Sequence, residues 1–372
     1  MVKAEIQFNP SIPRARKDNN FDFLRFLFAV FVVVSHSYPL SGNSETLQWI
    51  YQITNGQVVL ASLGLNGFFV ISGFFIFQSL QRSKSIISYF KKRFLRLFPG
   101  LFVVLFLTIL LVPFVYQGDA SLYNNIDFYT YLPNNLSLYG FQSSIKGVFD
   151  NHNYHSINGS LWTLRYEFSL YVVLSFLYFF RKRIGVIKAC LFVSFILLLV
   201  AHTFFLERFS ESSFLGMRGY DIINFGAFFT LGSLLASFKF DKFKDKSHLF
   251  FISIIGLLVL ILIVSLYFNF YIYIKHLVYT LLIILIGFMP LPFFSTFGKI
   301  GDMSYGIYIY SFPVQQTLMY FFDFGLYSFI LWSLFISIIL GYLSWHLIEK
   351  QALRYKNIPI FNLKYFNNEI KI

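Results

Sequence analysis

Apolar runs of bilayer-spanning length begin near residues 21, 58, 97, 161, 189, 221, 249, 274, 304 and 326, and this repetition leaves few folds open. A hydrocarbon core about 30 Å thick takes about 20 apolar residues per helix. Backbone N–H and C=O groups find no water there, so only helices or closed barrels can span it. The runs are about twice the length of a barrel strand, so the expected fold is an all-α integral membrane bundle of about ten transmembrane helices. Composition agrees, because 57% hydrophobic and 13% charged residues depart from the roughly 25% charge of soluble domains and exclude a soluble core. The 52 Phe and 25 Tyr suit lipid-facing surfaces and interfacial belts and carry no functional reading.

Basic clusters fall in alternate loops: residues 84–96, 181–188 and 239–246, the single Lys299, and the tail from Lys350 onward. Cytoplasmic loops carry an excess of Lys and Arg, so both termini are expected in the cytoplasm and the number of spans is expected to be even. The net charge of +13 is then mostly a topological signal. Nucleic-acid binding would gather basic residues on one soluble face, and here they are scattered among short loops. The first apolar run follows about twenty polar residues and is too long for a signal-peptide core, so it reads as a retained anchor. The expected organisation is a cytoplasmic tail over residues 1–20, a membrane domain over 21–350 and a second cytoplasmic tail over 351–372.

An ionisable residue at membrane depth is a functional-site hypothesis by default. Arg25 and His36 both lie in the first run. Eleven positions apart on a helix, they share nearly one face and stand roughly 16 Å apart along the axis at about 1.5 Å per residue. One helix can thus hold a cationic clamp near one surface and a proton-transfer group near the other. Arg93 and Arg96 stand three apart on one helical face, and arginine forks suit phosphate; positive-inside flanking alone also explains a basic cluster there. Glu167 enters the outer part of the run from 161, at a depth comparable to His36, where a carboxylate can fix the tautomer of an imidazole and stabilise its charged form. A structural bridge from Glu167 to Arg165 or Arg25 is the competing reading.

Gly64, Gly67 and Gly73 in the second run point to close helix packing. The segment 117–160, with His152, His155, Asp119, Asp127 and Asp150, is the place to expect a polar substrate. The two histidines have metal-like spacing without a third ligand near them in sequence, and no metal is expected. Asn158 or Ser160 is expected to cap the helix that follows. Cys190 is expected as a core residue.

Together, DFLRFLFAVFVVVSH, GLNGFFVISGFFIF, YFKKRFLRLFP, NGSLWTLRYEFSLY, GDMSYGIYIYSFP and HLIEKQALR resemble, in order, the integral-membrane acyltransferases of acyltransferase family 3, which include O-antigen and other glycan O-acetyltransferases. The Arg-ten residues-His pattern is matched by Arg25 and His36, the Arg-x-x-Arg pattern by Arg93 and Arg96, and the acidic position by Glu167. Departures fall at Asn66, Ser311 and Gln351, and bear on the acceptor more than on the reaction. The resemblance implies a ten-helix membrane enzyme of the bacterial plasma (inner) membrane. It would move an acyl group, acetyl or longer, from cytoplasmic acetyl-CoA or another acyl-CoA to a hydroxyl of an extracytoplasmic glycan or lipid-linked saccharide. Arg25, Arg93 and Arg96 would hold the coenzyme's phosphates, and His36, oriented by Glu167, would take the hydroxyl proton. Tyr305, Ser304 and Asn66 are candidate oxyanion donors. A transporter or flippase for an anionic or lipid-linked substrate would also use intramembrane Arg, His and Glu. It is the rival reading.

Overall fold

The computed structural model describes residues 19–238 and 247–358; the basic stretch 239–246 and most of the two tails, 1–20 and 351–372, lie outside the described residues. The long helices are α1 (Phe21–Leu40), α2 (Leu60–Gln81), α3 (Ile86–Val115), α4 (Leu164–Ser175, tightening into a further turn through Phe180), α5 (Ile184–Phe204), α6 (Gly219–Ala236), α7 (His248–Tyr267), α8 (Tyr271–Phe288), α9 (Ser304–Phe321) and α10 (Leu326–Ser344). Among the described residues strand pairing is confined to a short hairpin, Ser213–Phe214 with Met217–Arg218, and a bridge between Tyr116 and Val148.

Among the described residues, seven helical stretches are long and apolar enough to cross a membrane: α1, α2, α3, α5, α7, α8 and the run Leu326–Asn357 that continues α10. The other three expected spans form helices of a different kind. α4 is only 12 residues long, while α6 and α9 bury polar side chains such as Asp221, Asn224 and Ser233, or Ser311, Gln315 and Gln316. The third helix also starts earlier than its apolar run. Ser85 caps it by accepting a hydrogen bond from the Ser88 N–H at 3.0 Å, so the basic residues 91–96 form helical turns below the apolar stretch.

Glycine sets the closest approach in the bundle. A Cβ added to Gly73 on α2 would overlap the Phe229 carbonyl oxygen of α6, and one on Gly232 of α6 would overlap the Val70 carbonyl oxygen. The Ser233 hydroxyl donates to the Gly73 carbonyl at 3.0 Å across this contact. On another side of α2, Gly64 and Gly67 admit Phe28 of α1, so the glycines mark helix packing as expected.

Lipid-facing helices follow another rule. α5 buries Ile187, Leu191, Phe195 and His202 on one stripe, and Cys190, expected in the core, is exposed. A helix apolar on every side borders lipid as readily as protein, so an apolar neighbourhood in sequence does not place a residue inside. The segment 117–160 folds back over one end of the bundle, with Ile145, Val148 and Phe149 fully buried. His152 there lies 2.9 Å, through Nδ1, from Gln316 Oε1. Asn158 caps a single tight turn, Gly159–Thr163, which leads into α4.

Replacing Gly73 by Val should destabilise the protein by about 1–3 kcal/mol or more, the usual cost of forcing atoms into a packed contact. Gly256→Ala on α7, where an added Cβ meets nothing within 4 Å, should be neutral or mildly stabilising. Thermal unfolding of both variants in detergent checks this; equal transitions would remove the glycine contact as a packing determinant.

Candidate active site

Helical spacing brings one face of several helices around a single cavity of about 810 Å³, its open mouth included. α2 contributes Leu65, Phe68, Phe69, Ser72, Phe75 and Ile76, which recur every three or four residues, the repeat of one helical face. α3 adds Arg93, Arg96 and Leu97; α4 and the turn before it add Thr163, Leu164, Glu167 and Tyr171; α9 adds Ser304, Tyr305 and Tyr308; α1 adds Arg25. The volume lies within the roughly 300–1,000 Å³ of small-molecule sites. Four of the five residues singled out by sequence, Arg25, Arg93, Arg96 and Glu167, thus share one space.

The three arginines are not equivalent. Arg96 donates through Nη1 to Glu349 at 2.9 Å and through Nη2 to Asp302 at 2.5 Å, with the Trp345 ring 5.3 Å from its guanidinium carbon. Glu349 is fully buried and accepts a second hydrogen bond from Ser344 at 2.9 Å. Arg25 reaches Asp22 and Asp302, each at 3.4 Å. Burial alone would raise the Asp302 carboxyl, but Arg96, Arg25 and the Ser304 hydroxyl and N–H outweigh it and hold it below the ordinary carboxylate range. Arg93 has no ion-pair partner among the described residues. Its Nη2 donates to Ser79 at 3.3 Å, its guanidinium lies 5.8 Å from the Tyr171 ring centre, and its buried Nε has no acceptor. Of the three, Arg93 is the one whose charge meets no carboxylate among the described residues, which leaves it open to an anion.

Glu167 accepts from Ser72 at 3.0 Å and from the Tyr171 hydroxyl in a short hydrogen bond. It forms no ion pair with Arg165 or Arg25; Arg165 turns instead to the rings of Phe141 and Tyr166. His36 does not line the cavity. Its ring meets Phe312 edge-on at 5.7 Å, and its buried Nδ1 has no hydrogen-bond partner. Phe312 is one turn beyond Tyr308 on α9, about 6 Å along the axis. In the cavity wall, the Tyr308 hydroxyl donates to the Ser160 carbonyl at 2.7 Å and shares a 2.7 Å hydrogen bond with the Thr163 hydroxyl. No hydrogen bond joins Glu167 to His36 among the described residues.

Of the candidate oxyanion donors, Tyr305 and Ser304 line the cavity, with hydroxyls directed to the Leu97 carbonyl and to Asp302. Asn66 instead accepts from Asn224, away from it. Sequence reasoning missed Ser72, Tyr171, Asp302 and the pairing of Glu349. Tyr171 was visible in principle, four residues beyond Glu167 and so on its face.

Residues 18–347 match the sequence profile of the acyltransferase domain family. The chain belongs to this acyltransferase family. Among curated relatives, the O-acetyl transferase of Shigella phage Sf6 is 30% identical over 346 residues, covering 91% of this chain and 96% of that protein. Nodulation protein 10 of Rhizobium leguminosarum bv. viciae is 39% identical over 92 residues, 23% of this chain and 22% of its own. No solved structure gives a significant match. The match spans α1 to α10, so the cavity described above lies wholly within the acyltransferase domain.

The unequal partners of the arginines give an expected outcome. Arg96→Ala strands the fully buried Glu349 carboxylate and leaves Asp302 only its longer pair with Arg25, and should cost about 3–5 kcal/mol. Arg93→Ala breaks no ion pair and should cost under about 1 kcal/mol. Denaturation of the two variants in one detergent checks the order; equal losses would contradict it.

Proposed function

We propose that this acyltransferase moves an acyl group, in the first instance acetyl, from cytoplasmic acetyl-CoA or a related acyl-CoA to a hydroxyl of an extracytoplasmic or lipid-linked glycan. The protein would sit in a bacterial inner membrane with both termini cytoplasmic. α4, α6 and α9 would join the seven apolar stretches to make ten spans. The observation that carries this reading is the cavity itself: arginines at the end nearest the basic loops, and hydroxyls with one carboxylate along its walls, rising to within a turn of the level of His36. The Sf6 relative's name supports oxygen as the acceptor atom.

In this reading Arg93, with Arg25 beside it, meets the coenzyme's phosphates, while Arg96 mainly fixes the frame. The pantetheine arm runs along the α2 face. The acceptor hydroxyl oxygen attacks the thioester carbonyl carbon; an ester C–O bond forms and the C–S bond breaks. The hydroxyl proton passes to the free Nδ1 of His36, and the departing thiolate takes up a proton to leave as the coenzyme thiol. Glu167, held by Ser72 and Tyr171, supplies negative charge along this path and stabilises the imidazolium once the Tyr308 and Thr163 wall yields to substrate.

Membrane vesicles carrying the protein, supplied inside with isotope-labelled acetyl-CoA, should yield glycan bearing a labelled, alkali-labile ester by mass spectrometry. Substrate that crosses the membrane without a covalent change would favour transport and overturn the reading. His36→Ala should lower transfer about a hundredfold to ten-thousandfold while inserting normally, as loss of a general base does. Glu167→Gln should lower transfer with little change in thermal stability, because its partners are neutral hydroxyls and no arginine is left unpaired. An active but unstable Glu167→Gln would make that carboxylate structural.

A further inference from the structure

A second polar centre lies between α5, α6 and α8, one to two turns below the ends opposite the basic loops. His202, Lys275 and His276 are there 2%, 7% and 0% exposed. The two imidazoles meet edge to face, with centres 4.5 Å apart. His276 Nε2 lies 3.1 Å from Asn224 Oδ1, and Asn224 in turn donates to Asn66 at 3.0 Å. That chain fixes the inner side of the centre. The rest of the centre is unsatisfied: His202 Nε2 and His276 Nδ1 have no hydrogen-bond partner, and the Lys275 ammonium, 5.9 Å from the centre of the Tyr220 ring, makes no ion pair with any described residue. Buried cations are normally paired or bound to a ligand.

His202 opens onto a cavity of about 900 Å³, mouth included, that Thr203, Glu207, Arg208, Ile272 and Tyr273 also line, with Lys275 and His276 packed behind that wall. Ile272 stands one turn before Lys275 and His276 on α8, so all three share that helix face. Phe204, Phe205 and Tyr273 at the rim are exposed, in the manner of aromatic residues at the level of lipid headgroups. Glu207 is the acidic group in the lining. It stands against two cations, Arg208 beside it and Lys275 deeper in.

We propose that this cavity is a binding site for a phosphate ester, held by His202 and by Arg208 at the mouth, with the buried Lys275 supplying positive charge behind His202. A phosphate's several acceptor oxygens match imidazole and guanidinium donors, and basic pockets between membrane helices take phosphorylated headgroups. The site is separate from the arginine-lined cavity and does not depend on the function proposed for it. Its ligand is a phosphoryl group, carried on a membrane lipid or free in solution.

The test uses the full chain in neutral detergent, titrated with phosphatidylglycerol, with inorganic phosphate, and with diacylglycerol of the same acyl chains as a phosphate-free control. Thermal unfolding midpoints are read. Phosphatidylglycerol should raise the midpoint and diacylglycerol should not; a rise with inorganic phosphate as well would assign a soluble source, and a rise with the lipid alone a lipid source. Lys275→Met should weaken the half-saturating concentration about tenfold or more, as expected for loss of a nearby buried positive charge. Without ligand it should leave the midpoint unchanged or raised, since it removes a buried unpaired charge. Should that variant not fold, His202→Gln carries the same readout. No shift with either phosphate compound, or a shift unaltered by these substitutions, would overturn the site.

Discussion

The double ion pair of Arg96 is the interaction on which the rest of the architecture rests. Two carboxylates of different helices, Asp302 just ahead of α9 and Glu349 beyond α10, meet one guanidinium on α3, and Arg25 links α1 to the same Asp302. With Glu349 fully buried and the others largely so, each of these charges is tolerated because the others are present. The network therefore specifies which helix ends come together, more than it adds net stability, and it closes the basic end of the cavity around a fixed frame.

Such a frame explains why neighbouring arginines on one helical face have different chemistry. Arg93 and Arg96 stand three positions apart, enough to aim one at a serine and an aromatic ring and the other at fixed carboxylates. A site that must hold a polyanionic ligand and release it benefits from a cation whose charge is not already cancelled. The surrounding pairs keep that cation in place without competing for it.

The parts of this molecule that stand out in sequence are those where one residue violates its surroundings. Arg25, Arg93, Arg96 and Glu167 are charged groups beside or within apolar runs, and they converge as that anomaly suggests. The partners of Arg96 were not legible, because they lie 206 and 253 positions away and each looks locally like a flank of a span. The apolar runs located the helices well, but α4, α6 and α9 carry the buried polar groups that line or support the sites, and for that reason they resemble membrane spans least. Cys190 misled in the opposite direction: lipid and protein core have the same polarity, so hydropathy cannot tell one from the other. The side chain of His36 illustrates a third limit, since helical phase set its face while the ring packed against it, Phe312, came from a helix far along the chain.

Tyr308 in the cavity wall has a consequence for permeability. A polar passage joining an arginine-lined mouth to the far end of the bundle would let protons and small ions run down their gradients. The hydrogen bonds of Tyr308 with Thr163 and the Ser160 carbonyl satisfy the hydroxyls of the cavity wall from within the protein and leave them less need of water. In the transfer proposed above, a group passing such a wall would do so by exchange of hydrogen-bond partners, which would keep the bundle closed to ions while the acyl group moves.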